Sequence, residues 1–234
     1  DMFFEEGENV GYLYRNDISA PYVFLQTIDF TNPSNVVLGE NEISWIKRDA
    51  TVNAISQTLV VSVDKRLVFT ISQPDGMTAD ECIRVYSLDT KKEVFFQQEY
   101  GQEYKRLWLN KNESQLFVTE PYTGKIRIYD IAENGELSAT GQLYVSDDAA
   151  LSEIELEFDD QYLSVFLRTQ DHLKNLIYDV SGSGMPQFLG VASDSETSGE
   201  YFTPFLVPER GTIFQHDVAN REDFIQQFPI ETSP

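Results

Sequence analysis

The chain has 234 residues, 41% of them hydrophobic and 13% aromatic, which is enough for one large domain with a full core. Its formal net charge of −22, from 39 acidic against 17 basic residues, opposes binding to nucleic acid or to anionic membranes. The single cysteine, Cys82, excludes an internal disulfide, and no run approaches the ~18–20 apolar residues of a membrane-spanning helix.

Taken in chain order, the segments read as short strands: apolar and polar residues alternate, β-branched residues are common, and Gly, Pro, Asn and Asp break the pattern often. The first unit, 1–39, has an inner strand at 3–5 and a polar turn at Glu6-Gly7-Glu8-Asn9. A second strand at 10–14, a third at 25–30 and a fourth at 36–39 follow. Residues 40–55 depart from the pattern and read as an insertion. The second unit, 56–98, places strands at 59–63, 66–70, 83–88 and 93–98, with a further insertion at 72–82. The third, 105–145, has strands at 106–109, 115–119, 125–131 and 141–145. The fourth, 153–191, has them at 153–158, 162–165, 175–180 and 187–191. The fifth, 201–230, shows strands at 202–207, 211–214 and 223–230 and then stops.

Leu67, Leu116, Leu163 and Thr212 are equivalent positions in successive second strands and recur about every 48 residues. Four strands per unit at a period of roughly 40–55 residues predict an all-β protein, a β-propeller of about five four-stranded antiparallel blades within one domain. A four-stranded sheet has two faces, so each blade buries both only by packing on its neighbours. The fifth unit lacks a fourth strand. Either the register at the N-terminus differs from this assignment, or the ring is incomplete and the chain is one segment of a larger propeller.

The third and fourth strands carry a family likeness. Thr27-Ile28-Asp29-Phe30-Thr31-Asn32-Pro33 and Tyr178-Asp179-Val180 resemble the LVIVD-type repeat, in which an aliphatic strand ends in Asp before a tight turn. Ile128-Tyr129-Asp130-Ile131 resembles the related surface-layer and lactonase-like propeller repeats. The likeness covers two to three blades well and the others loosely; Ser87 and Pro229 stand where the Asp is expected. It implies a bacterial or archaeal cell-surface or exported protein with a binding or scaffold role. Asp29, Asp130 and Asp179 are read as structural turn acids, because a short acceptor side chain can take backbone N–H groups where the chain leaves the strand.

The chemistry-bearing residues are few. His172 and His216 lie outside any nucleophile elbow, and no Gly-x-Ser-x-Gly occurs. Glu5, Asp64, Glu153, Glu155 and Glu157 lie on or near inner strands, as candidate acids facing a propeller channel. Glu153, Glu155 and Glu157 alternate with Ile154, Leu156 and Phe158 and so share one face. Paired carboxylates ~5–9 Å apart would serve glycoside hydrolysis. Calcium requires six to eight oxygens; Asp159 and Asp160 are the candidate ligands, but no complete calcium loop accompanies them. Asn112-Glu113-Ser114 is a glycosylation sequon on a predicted hairpin turn.

The expectation is therefore a soluble, acidic, non-catalytic binding or structural module, extracellular or at a cell surface, without a cofactor. Its partner would be a protein, a glycan or other segments of a larger assembly. The rival is a carbohydrate-active or lactone-hydrolysing propeller that uses channel carboxylates, with or without a divalent cation.

Overall fold

In a computed structural model, the structure describes residues 2–4, 10–16, 22–32, 34–46, 59–72, 81–99, 106–146, 153–158, 161–169, 172–182, 184–196, 205–207, 212–217 and 222–227. Within them the chain forms five sheets in sequence. The first contains β1 (Met2–Phe4), β2 (Val10–Asn16), β3 (Tyr22–Asp29) and β4 (Val37–Ile46). The second contains β5 (Leu59–Ser62), β6 (Leu67–Ser72), β7 (Glu81–Ser87) and β8 (Lys92–Glu99). The third contains β9 (Arg106–Leu109), β10 (Gln115–Glu120), β11 (Lys125–Ile131) and β12 (Leu137–Tyr144). The fourth contains β13 (Glu153–Phe158), β14 (Tyr162–Arg168), β15 (His172–Asp179) and β16 (Gln187–Glu196). The fifth has three described strands, β17 (Phe205–Val207), β18 (Thr212–Asp217) and β19 (Glu222–Gln227). Strands adjacent in sequence are adjacent in every sheet, as hairpin-connected meanders require.

The anticipated inner and second strands agree with these elements to within a few residues. Outer strands run longer than anticipated. β4 continues to Ile46, into the stretch read as an insertion at 40–55, and β16 continues to Glu196. β12 starts at Leu137, because the turn Ala132–Glu136 closes with Gly135 N–H donating to Ala132 O at 2.9 Å. Outer strands bury few of their side chains, so these need not alternate in polarity and the sequence marks them weakly. Their pairing with the third strands is also irregular. Register shifts fall at Leu25/Gln26 and Gln26/Ile28 in the first sheet, Val85/Tyr86 in the second, and Asn175/Leu176 and Ile177/Tyr178 in the fourth. Such bulges increase local twist.

The chain divides into two compact units, Asp1–Val118 with Tyr129–Ala139, and Thr119–Ile128 with Thr140–Pro234. In the first, the second sheet is packed on both faces. Leu67, Phe69, Ile71, Ile83 and Val85 join Leu107, Leu116, Val118, Tyr129, Ile131 and Leu137 of the third sheet in one core cluster. Val68, Tyr86 and Leu88, with Leu59 and Val61, join Tyr12 and Leu25 of the first sheet in another. Along β6 the residues alternate between these two clusters, which is the period-2 geometry of a strand buried on both sides. Full burial of each such side chain contributes about 1.5–3 kcal/mol. In the second unit, Ile154, Leu156, Leu163, Val165, Leu167, Leu176 and Tyr178 are buried apolar positions of the fourth sheet, as is Phe166, which packs against Ile177 and Ala192.

Gly124 follows the short 3₁₀ turn Pro121–Thr123 with φ +61°. Val145 N–H donates to its carbonyl at 2.8 Å, and a Cβ at this position would run into the Ser146 carbonyl. Both the left-handed backbone and the close approach require glycine here. Cys82 is fully buried on β7, opposite Ser72.

Candidate functional site

Among the described residues, four groups of partnered polar side chains bear on the anticipated sites. The first is the exit from the third strands. Asp29 Oδ1 accepts the Thr31 N–H at 2.7 Å, and Asp179 Oδ1 accepts the Ser181 N–H at 2.8 Å and the Ser181 hydroxyl at 2.6 Å. Bonds from Thr31 and Ser181 hold both carboxyls below the usual carboxylate range, since they favour the charged form. Asp130 differs. It is exposed and accepts Gln115 Nε2 at 2.9 Å, across to the neighbouring strand.

The second is the β5–β6 hairpin tip, in the first unit. Asp64 sits there exposed, in the turn Val63–Arg66 and not on β5 itself. Glu113, from the β9–β10 tip, reaches across to this turn. Its Oε2 accepts the buried Ser62 hydroxyl at 2.5 Å and Asp64 N–H at 3.2 Å, and its Oε1 accepts Val63 N–H at 3.3 Å. Lys65 bridges to Glu133 at 2.6 Å, while Arg66 bonds Asp89 Oδ1 at 2.6 Å and the Tyr12 hydroxyl at 2.9 Å. Arg66 and Glu113 both hold positive φ, 54° and 52°, at equivalent corners of their hairpins. The anionic Glu113 thus takes up donors that a tight turn leaves open.

The third lies in the second unit, where Glu120, at 2% side-chain exposure, forms an ion pair with Arg127 and accepts the Thr123 hydroxyl at 2.9 Å. A buried carboxylate is tolerable only with such partners.

The fourth is one face of the fourth sheet. Glu153, Glu155 and Glu157 are half-buried and alternate with buried Ile154 and Leu156. Same-side neighbours along a strand stand about 7 Å apart. The register sets Glu153 opposite Arg168, Glu155 opposite Phe166 and Glu157 opposite Ser164; the next strand sets Asn175 opposite Phe166. Glu153 pairs with Arg168 at 3.8 Å. The Ser164 hydroxyl donates to Asn175 Oδ1 at 2.9 Å, and both residues are buried. Asn175 Nδ2 is buried and has no hydrogen-bond partner among the described residues, beside the register shift at Asn175/Leu176. An amide N–H left so costs about 1–3 kcal/mol. This face carries half-buried carboxylates, with the buried Asn175 amide and the buried ring of Phe166, which packs against Ile177 and Ala192, on the same side.

Of the other anticipated residues, those that are described lie elsewhere. His172 opens β15, exposed, with its N–H donating to Thr169 Oγ1 at 2.9 Å in a turn. The His216 side chain, Glu5, Asp159 and Asp160 lie outside the described residues. Among the described residues, no group of three or more His, Cys, Asp or Glu is placed to hold a metal ion. Sequence reasoning missed Ser164, Asn175 and Glu113 as partners. The only available signal was a polar residue breaking an apolar run, as Ser164 does between Leu163 and Val165.

No protein-family model matches the chain, and no curated protein matches it in sequence. Solved structures do match in shape. The β-propeller domain of Cps50 (Swd1) from Myceliophteria thermophila superposes with a TM-score of 0.56 at 12% identity, over 94% of this chain and 66% of that one. The periplasmic gluconolactonase PpgL of Pseudomonas aeruginosa gives 0.60 at 13% identity, over 95% of this chain and 64% of that one. A Lactobacillus plantarum protein gives 0.61 at 13% identity, over 96% and 68%. The chain spans about two thirds of the length of these structures. The likeness establishes the fold: the chain is a β-propeller of four-stranded antiparallel sheets.

Proposed function

We propose that the chain is a non-catalytic binding or structural propeller module of a microbial cell-surface or exported protein. Its partner is a protein, a glycan or the further segments of a larger assembly. One observation carries this reading: among the described residues, Asp29, Asp64, Asp130, Asp179 and the Glu153–Glu157 face lie at separate places, and most of these acids have partners of their own. Asp29 and Asp179 close turns, Asp64 lies exposed at a hairpin tip where only its backbone N–H is bonded, to Glu113, Asp130 ties two strands and Glu153 pairs with an arginine. On this reading the aspartates at the strand exits are structural turn acids. Catalysis by two carboxylates instead needs both to converge on one substrate atom. The absence of a membrane-crossing helix among the described residues is compatible with an exported module.

A specific observation favours the rival. Glu155 and Glu157 share their face with Phe166 and the buried Ser164–Asn175 pair, a set that suits a polyhydroxylated ring or sugar lactone. A screen of glycans and lactones, with elemental analysis for bound divalent metal, separates the two. The expected result is no turnover above background. Turnover that is lost in Glu155→Gln or Glu157→Gln, in protein that still folds, would replace the binding reading with the enzymatic one.

A further inference from the structure

We propose that Asn112 is an acceptor site for an N-linked glycan. The residue opens the sequon Asn112-Glu113-Ser114 and is exposed in the β9–β10 hairpin turn. The turn holds the sequon in one conformation. Asn112 Oδ1 accepts the Ser114 N–H at 3.2 Å and the Ser114 hydroxyl at 2.6 Å. That hydroxyl is itself oriented, because its oxygen accepts Asn110 Nδ2 at 3.1 Å, and Asn110 Oδ1 in turn accepts Gln115 N–H at 2.9 Å. The chain of donors therefore ends on the Asn112 carbonyl oxygen and leaves its Nδ2 outside the network. Hydrogen bonds to an amide oxygen withdraw electron density and make the nitrogen protons more acidic, which favours loss of one during attack. The carboxylate of the central residue is held at the neighbouring hairpin tip by Ser62, Val63 and Asp64. It is thereby kept in place while an anionic donor approaches.

The donor is a lipid-diphosphate-linked oligosaccharide, presented by an oligosaccharyltransferase. Asn112 Nδ2 attacks the anomeric carbon, a C–N bond forms, and the bond from that carbon to the diphosphate oxygen breaks. The lipid diphosphate leaves with the bonding pair, and one Nδ2 proton passes to a base of the transferase. Nothing is oxidised or reduced. The chain carries its own comparison: Asn32 also accepts a Ser34 N–H, at 3.0 Å, but Pro33 stands between them and disqualifies the triplet.

Use of the site in the cell rests on the exported placement proposed above, but its chemistry can be tested without it. The folded chain is incubated with a purified oligosaccharyltransferase and a lipid-linked oligosaccharide, and its intact mass is read. The expected result is one glycan, removed by peptide N-glycosidase to leave Asp at 112, absent in Asn112→Gln and Ser114→Ala and never found on Asn32. A folded chain that stays unmodified while a control sequon peptide is glycosylated in the same mixture overturns the proposal. So does a glycan that survives in Asn112→Gln. A protein found inside cells and bare there, yet glycosylated in this assay, supports the acceptor site and counts only against the exported placement.

Discussion

At the scale of single residues, the aspartates at the ends of the third strands show how a repeat signal becomes a physical role. Asp29 and Asp179 each bond the residue two positions on, and the side-chain hydroxyl of Thr31 or Ser181, followed by its backbone N–H, lowers their carboxyl pKa. A carboxyl depressed in the folded state contributes stability that is fully present above its unfolded pKa and is lost as pH falls through the folded value. Thermal unfolding followed by circular dichroism should therefore show a falling midpoint as pH drops below about 4. The fall should be shallower in the double variant Asp29→Asn, Asp179→Asn, whose amide oxygens keep the turn acceptors but do not titrate. Equal acid slopes in the two proteins would remove these aspartates from the account. Asp130 shows the limit of reading a role from a motif. It carries the clearest copy of the triplet, yet its carboxylate bonds a side chain on the next strand, because Gln115 stands within reach there.

At the scale of elements, the hairpin tips do more than reverse the chain. Glu113 takes three donors from the β5–β6 tip, and Lys65 and Arg66 of that tip reach Glu133 and Tyr12. Removing the carboxylate in Glu113→Ala leaves the buried Ser62 hydroxyl and two turn N–H groups without their acceptor. This should cost about 1–3 kcal/mol in chemical denaturation, most of which Glu113→Gln retains. A loss within a few tenths of a kcal/mol, about that of an ordinary surface substitution, would show that water replaces Glu113 at the turn. The turn positions themselves were legible in the sequence, as clusters of Asp, Asn and Lys between apolar runs. The bond from Glu113 to Ser62 was not, because it joins residues 51 apart that share no pattern. Outer strands were under-read for a related reason. Val37, Leu38, Phe188 and Leu189 are exposed, so no burial imposes the alternation by which strands are recognised.

At the scale of the whole molecule, a sheet in the middle of a run of sheets gains stability by covering both of its faces. The second sheet shows this in full: Phe69 is buried in the cluster shared with the third sheet, and Val68 in the one shared with the first. Phe69→Ala should lower unfolding free energy by about 3–5 kcal/mol, the cost of a buried aromatic removed from a core that relaxes only partly. Denaturant titration monitored by tryptophan fluorescence reads it; a cost under about 1 kcal/mol would mean that this face is loosely packed. The sequence by itself determined the all-β class and the meander order of the strands. Those follow from local alternation and from turn residues, which act over a few positions. Only the tertiary structure decided which acids meet which partners, that Ser164 and Asn175 are buried together on the face that carries Glu155, and that Glu113 closes a neighbouring turn. These pairings depend on strand register and on packing between sheets, and neither leaves a periodic trace along the chain.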